Sequence, residues 1–230
     1  MLDARLPAPP EAAVALFGPA LPLVRQYGEL LAGPGVERGL LGPREVDRLW
    51  ERHLMNCAAV AELIPEGSHV VDVGSGAGLP GIILAATRAD LRVTLLEPLL
   101  RRTVFLDECL DALKLDNAEV LRGRAEEWAG RMGADVVTAR AVAPLERLIG
   151  WCLPLLRRGG RMLALKGESA AQELAAVESQ LPKLGAESWG VVEVGELLGN
   201  AATRVIGIDL GPSGFKTARP ERRSQRSARG

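Results

Sequence analysis

The residues best suited to chemistry begin at Asp72 and run Asp72-Val73-Gly74-Ser75-Gly76-Ala77-Gly78-Leu79-Pro80-Gly81. Gly74, Gly76 and Gly78 crowd one short turn, where bare backbone can approach a ligand more closely than any side chain would allow. The N–H groups left free where a helix starts add a polar cradle. Gly76, Gly78 and Gly81 meet the G-x-G-x-x-G spacing of dinucleotide sites, a weak signal taken alone. Asp72 helps to choose the ligand, because a carboxylate there would repel a pyrophosphate but attract the ammonium and sulfonium of S-adenosylmethionine. The stretch therefore favours S-adenosylmethionine over NAD, with a ligand-free tight turn as the plain alternative. Asp72, Gly74, Ser75, Gly76 and Gly78 are its candidate cofactor-binding residues.

Further candidates end apolar runs. Glu97 closes Val93-Thr94-Leu95-Leu96, about 20 residues past the turn, where an acidic residue accepts bonds from ribose hydroxyls. Its alternative is a helix-start carboxylate, since Pro98 follows. In Arg122-Gly123-Arg124-Ala125-Glu126, the Ala125 backbone and the Glu126 carboxylate could read an adenine edge, or Glu126-Glu127 could simply cap a helix. Arg140 ends Asp135-Val136-Val137-Thr138-Ala139, and Lys166 ends Met162-Leu163-Ala164-Leu165. Both are expected to project into the same cleft, towards the substrate; the alternative for each is a surface ion pair. The segment Ala139-Arg140-Ala141-Val142 lacks the Asn/Asp-Pro-Pro-aromatic pattern of adenine-amino methylation. Cys57, Cys109 and Cys152 follow Asn, Glu and Trp, which argues against a pyrimidine-C5 nucleophile. They read as buried small hydrophobes, reduced and without a metal site. His53, beside Trp50 and Leu54 on an apolar face, reads as a bonded core residue rather than a catalyst.

Alternating elements must position these residues. Strands are expected at His69–Val73, Arg92–Glu97, Glu119–Leu121, Asp135–Thr138, Arg161–Leu165, Val191–Val194 and Val205–Leu210, with helices at Gly81–Thr87, Leu99–Leu113, Leu145–Leu156 and Ser169–Leu184. The pattern predicts an α/β fold with a mainly parallel seven-stranded sheet covered on both faces, its ligands beyond the carboxyl ends of the strands. Residues before Gly67 read as helical: Glu11–Phe17, then Leu21–Ala32 stopped by Gly33-Pro34-Gly35, then one long helix from Arg44 towards Ile64. Three parts follow: a helical region to residue 65, the α/β domain over 66–211, and a basic tail from 212, expected to be disordered.

Composition sets the limits. At 230 residues, 47% hydrophobic and 25% charged, the chain has the balance of a globular protein, and 3% aromatic content demands an aliphatic core. No apolar run reaches the roughly 20 residues of a membrane span, and Gly18, Pro19 and Pro22 break the one segment that suggests a signal peptide. A cytoplasmic protein is expected. From Lys216 onward one Lys, five Arg and one Glu give a net +5, leaving −6 on the remainder of a chain whose total is −1. Such a tail could touch polyanions or merely solubilise.

Val71-Asp72-Val73-Gly74-Ser75-Gly76-Ala77-Gly78-Leu79-Pro80-Gly81-Ile82, with Arg140-Ala141-Val142-Ala143 and Ala164-Leu165-Lys166-Gly167, resembles the RsmG (GidB) family. The likeness runs from Leu49-Trp50-Glu51-Arg52-His53-Leu54 to about Gly167, and Gly-Leu-Pro-Gly is its most specific part. It implies a Rossmann-like class I S-adenosylmethionine-dependent methyltransferase that acts on N7 of a guanine in 16S ribosomal RNA, as naked RNA or within the small subunit. It also implies cofactor contacts from Gly74, Leu79, Ala125, Glu126 and Arg140, and a substrate-side Lys166. Arg140 and Lys166 are the candidate catalytic residues. The chain departs from the family in Asn56-Cys57, where Asp-Ser is frequent, and in Glu97, where Asp is frequent. Two other readings remain open at this stage: an NAD(P)-dependent oxidoreductase, on Gly76, Gly78, Gly81 and Glu97, and a non-enzymatic RNA-binding protein.

Overall fold

The computed structural model describes residues 6–195 and 203–216. Most of the basic tail, residues 217–230, therefore lies outside the described residues. Seven strands form one sheet: β1 (His69–Val73), β2 (Arg92–Glu97), β3 (Ala118–Arg122), β4 (Ala134–Arg140), β5 (Leu156–Lys166), β6 (Ala186–Val194) and β7 (Thr203–Leu210). Their order is β3-β2-β1-β4-β5-β7-β6. The pairs among β1 to β5 are parallel, whereas β7 runs antiparallel to both β5 and β6, so the sheet is mixed. Chain order reverses between β1 and β4, the place where an open α/β sheet leaves a crevice beyond its strand ends.

Strand alternation divides the core. Val70, Val93, Leu95 and Val136 face one layer, made by α4 (Gly81–Thr87), α5 (Leu100–Leu113) and the N-terminal helices α1 (Glu11–Phe17), α2 (Leu21–Leu30) and α3 (Asn56–Ala59). Val71, Val73, Leu96, Val137 and Ala139 face the other, made by α6 (Leu145–Cys152) and α7 (Ala170–Val177). All three cysteines are buried and unbridged.

The N-terminal region differs from its sequence pattern. Gly33-Pro34-Gly35 does not stop the second helix; the chain continues through a π turn at Leu31–Gly35, whose wider winding accommodates a proline that has no N–H to give. The single helix expected from Arg44 is four short pieces: 3-10 over Pro43–Arg48, π over Leu49–Met55, α3, and 3-10 over Val60–Leu63. Arg48, at φ −110° and ψ 7°, is where the winding changes. Later helices are also shorter than expected: α6 tightens to 3-10 over Leu153–Leu155, and α7 over Glu178–Leu184, which contains Pro182.

These helices brace the glycine turn. Tyr27 of α2 is fully buried, and its hydroxyl donates to the Ala77 carbonyl at 2.7 Å. Tyr27→Phe would strand that carbonyl, so a loss of about 1–2 kcal/mol in urea unfolding is expected. A change within error would mean that the bond does not hold the turn.

Candidate functional site

Where the parallel strands end, the side chains converge. Val73 of β1 pairs with Leu96 of β2 and Ala139 of β4, which sets Glu97, Arg140 and the turn after Val73 side by side. A cleft of about 1020 Å³ opens there. Gly74, Ser75, Gly76, Leu79, Glu97, Ala125, Glu126 and Arg140 all line it. The turn fits only glycine at its tightest points. Gly74 has φ +67°, and a Cβ on it would lie 2.9 Å from both methyls of Val142. Ala141, next to Arg140 and lining the cleft, is one of two non-glycine residues at φ +53° among the described residues.

Asp72 and Gly78 do not line the cleft. Asp72 alternates with Val71 and Val73, so its side chain lies on the α4 face of the sheet, beneath the helix start. It is 1% exposed, accepting the Gly81 N–H at 3.2 Å and the Thr138 hydroxyl at 3.0 Å. The direct attraction for a cationic ligand expected of Asp72 is thus replaced by a role within the turn. Gly81 permits this, because a Cβ there would meet Leu95 Cδ2 at 2.2 Å and Asp72 Oδ2 at 2.9 Å.

Burial raises the Asp72 carboxyl to about 6, only partly offset by the Thr138 hydroxyl and the Gly81 N–H. Its ordinary value is 3.8, so the folded protein holds the extra proton between those two values. The stability this contributes is full below pH 3.8 and is lost as pH rises through about 6, a difference on the order of 3 kcal/mol. In Asp72→Asn the amide can accept from Gly81 and donate to Thr138 without charge. Urea unfolding from pH 4 to 7 should show the variant gaining on the native protein by about 2 kcal/mol across that window. Parallel curves would show that Asp72 does not titrate there.

Glu97 is buried at the cleft wall. One carboxylate oxygen accepts the Gly76 N–H at 3.0 Å; the other accepts the Leu99 N–H at 3.0 Å. The helix-start reading of Glu97 thus holds, and the residue also lines the cleft. Glu127, not Glu126, closes the short 3-10 turn by accepting the Arg124 N–H at 3.1 Å, which leaves Glu126 exposed on the cleft.

Arg140 stands where this cleft meets a second recess of about 420 Å³. Its Nη2 donates to the Arg52 carbonyl at 3.0 Å and to His53 Nδ1 at 2.7 Å, and its Nη1 donates to Cys57 Sγ at 3.1 Å. Lys166 lies in the second recess together with Arg140, as expected, and does not line the larger cleft. Its ammonium donates to the Ala143 carbonyl at 2.8 Å and to Glu173 at 2.7 Å. Glu173 also accepts the Leu145 N–H, so one carboxylate ties β5, α6 and α7 together. Burial opposes the low pKa of Glu173, and Lys166 and the Leu145 N–H bring it about.

Sequence reasoning missed Glu45, Cys57 and Tyr27 as parts of this site, and placed His53 in the core. His53 lines both openings and bridges Arg140 and Glu45, the latter at 2.8 Å. Tyr27 carried one usable signal: it is the chain's single tyrosine, amid aliphatic helix residues. Among the described residues no His/Cys/Asp/Glu group could hold a metal ion, and no helix is long and apolar enough to cross a membrane.

Residues 20–198 match the family model described as "rRNA small subunit methyltransferase G". A "Ribosomal RNA small subunit methyltransferase G" from Thermobifida fusca is 59% identical over 202 residues, covering 88% of this chain and 85% of that one. One of the same name from Streptomyces coelicolor is 53% identical over 229 residues, covering 98% and 96%. Among solved structures, a SAM-dependent O-methyltransferase from Thermotoga maritima superposes with TM-score 0.52 at 16% identity, covering 72% of this chain and 66% of that one. TYW2 of M. jannaschii in complex with AdoMet gives 0.55 at 17%, covering 73% and 77%. These two likenesses speak to the fold.

Proposed function

The chain belongs to the rRNA small subunit methyltransferase G family, and we propose that it transfers a methyl group from S-adenosylmethionine to N7 of a guanine in 16S ribosomal RNA. The observation that carries this reading is the junction of two openings at His53, Arg140 and Ala141, a cofactor-sized cleft beside a recess for the acceptor base. A cleft floored by glycines, with a buried carboxylate in its wall, suits a nucleoside that carries no phosphate. Family membership lends nothing to the oxidoreductase or to the non-catalytic RNA-binding alternative.

When bound, S-adenosylmethionine supplies an electrophilic methyl group. Guanine N7 offers a lone pair and carries no proton, so no side chain need act as a base. The task for this chain is alignment. Glu97 would accept ribose hydroxyls, and the Ala125 backbone with Glu126 would face the adenine. Arg140 has committed three of its five N–H donors, and Lys166 two of its three. The remaining donors suit guanine O6 or a phosphate. A cation on N7 itself would oppose the positive charge that the methylated ring acquires. In this reading residues 66–211 carry the chemistry, and the helices before 65 contribute Tyr27, Glu45 and His53 to it. The basic segment from 212 meets RNA phosphates, and the enzyme works in the cytoplasm beside its ribosomal substrate.

The test is transfer of labelled methyl to 16S rRNA, free or in small subunits, from a strain lacking the protein, with the modified base mapped. Label at guanine N7 is expected. Label on another base, or none, would overturn the assignment.

A further inference from the structure

We propose that His53 is a positioning residue for methyl transfer, a neutral imidazole that receives Arg140 on Nδ1 and is itself held through Nε2–H by Glu45. Only one tautomer satisfies the contacts. The guanidinium can only donate, so Nδ1, 2.7 Å from Arg140 Nη2, must present a lone pair. The neutral ring then carries its hydrogen on Nε2, 2.8 Å from the Glu45 carboxylate. A proton added to Nδ1 would set one N–H against another and expel Arg140 from the junction of the two openings.

Every element around the ring takes part. Glu45 comes from the 3-10 segment Pro43–Arg48, Arg52 from the same π segment as His53, and Arg140 from β4. Cys57 of α3 takes the other nitrogen of Arg140, and Lys166 and Glu173 face the ring's recess. Burial and the nearby Arg140 lower the His53 pKa from its ordinary value, while Glu45 opposes the shift. That shift favours the neutral ring the contacts require, and acidification that protonates the ring releases Arg140. Glu45 supplies orientation and sets where that release falls.

The chain has two histidines, so His69→Gln leaves His53 as the single imidazole for ¹⁵N NMR. At pH 7.5 the Nε2–H tautomer is expected, and Glu45→Gln should lower the His53 titration by about one pH unit, because a carboxylate favours imidazolium. The acid limb of kcat for methyl transfer should move by the same amount. His53→Asn keeps an acceptor for Arg140, so it should hold kcat within about threefold and lose the acid limb. His53→Ala should lower kcat about tenfold with the KM for S-adenosylmethionine little changed. An Nδ1–H tautomer, or an acid limb that stays put while the NMR titration moves, would overturn the proposal. The activity arm rests on the methyl-transfer reading; the NMR arm does not. Native protein without transfer to 16S rRNA would remove that reading and leave the tautomer and titration to decide the relay.

Discussion

Gly78→Ala is expected to abolish measurable binding of S-adenosylhomocysteine and to cost about 3–5 kcal/mol of stability. Two costs add. Gly78 sits at φ +101°, a conformation that L side chains rarely adopt. A Cβ there would also lie 2.4 Å from Ile82 Cδ1 and 2.8 Å from Tyr27 Oη. Neither neighbour can give way cheaply. Ile82 is fully buried in α4, and the Tyr27 hydroxyl is bonded to Ala77 one residue before the glycine. Relief must come from the turn itself, and that displaces the backbone of Gly74 and Gly76 lining the cleft. Since total stabilities of such domains are about 5–15 kcal/mol, the variant should still fold, weakly. Gly67→Ala is the matched control: φ is +70° there and nothing lies within 4 Å of the added methyl. It should lose about 1 kcal/mol and leave affinity untouched. Calorimetry with S-adenosylhomocysteine and urea unfolding on both variants decide the matter. Affinity within threefold of native in Gly78→Ala would show that the shape of the turn does not govern binding.

The same physics explains what could be read in advance. β1, β2 and α4 span the residues expected of them, because β-branched runs end there at glycine, proline or charge, and each signal agrees with its neighbours. Glu97, Ala125 and Glu126 were readable as cleft residues because a parallel sheet sends every strand end to one edge. Asp72 was misplaced by nearness in sequence: two residues from a ligand turn is also the opposite phase of the pleat from Val73, and the pleat decides. Lys166 does share a recess with Arg140, as expected, but it stands outside the larger cleft. Strand ends share an edge, yet β5 lies one strand beyond β4, and Glu173 draws the ammonium towards α6 and α7. The Glu45–His53 contact was hidden by winding. In an unbroken helix residues eight apart lie about 12 Å from each other along the axis. The non-helical backbone of Arg48 breaks the axis between the 3-10 and π segments, and across that break the two side chains meet. Apolar residues recurring every three or four positions do not distinguish the three kinds of winding.

Arg140→Ala is expected to lower methyl transfer about a hundredfold or more, with affinity for S-adenosylhomocysteine reduced less than tenfold. The asymmetry follows from where the guanidinium is fixed. Most of the cofactor cleft is built by other residues: the glycine turn, Glu97, and the 125–126 loop. Arg140 belongs to both openings, and its contacts to Arg52, His53 and Cys57 all come from the N-terminal helices. It therefore sets the distance between the two bound molecules more than the grip on either one. In-line attack tolerates little error in that distance: a misplacement of about 1 Å can cost a hundredfold. Arg140→Lys should not rescue the loss. An ammonium on a flexible stem cannot meet a carbonyl, an imidazole nitrogen and a thiol while keeping donors in reserve. Lys166→Ala, by contrast, should weaken RNA saturation more than turnover, since its ammonium is already shared between Ala143 and Glu173. Single-turnover rates with 16S rRNA, beside calorimetric affinities, separate the two effects. If Arg140→Ala turned over at the native rate, the alignment role would pass to groups on the glycine turn, and the relay through His53 would have nothing to position.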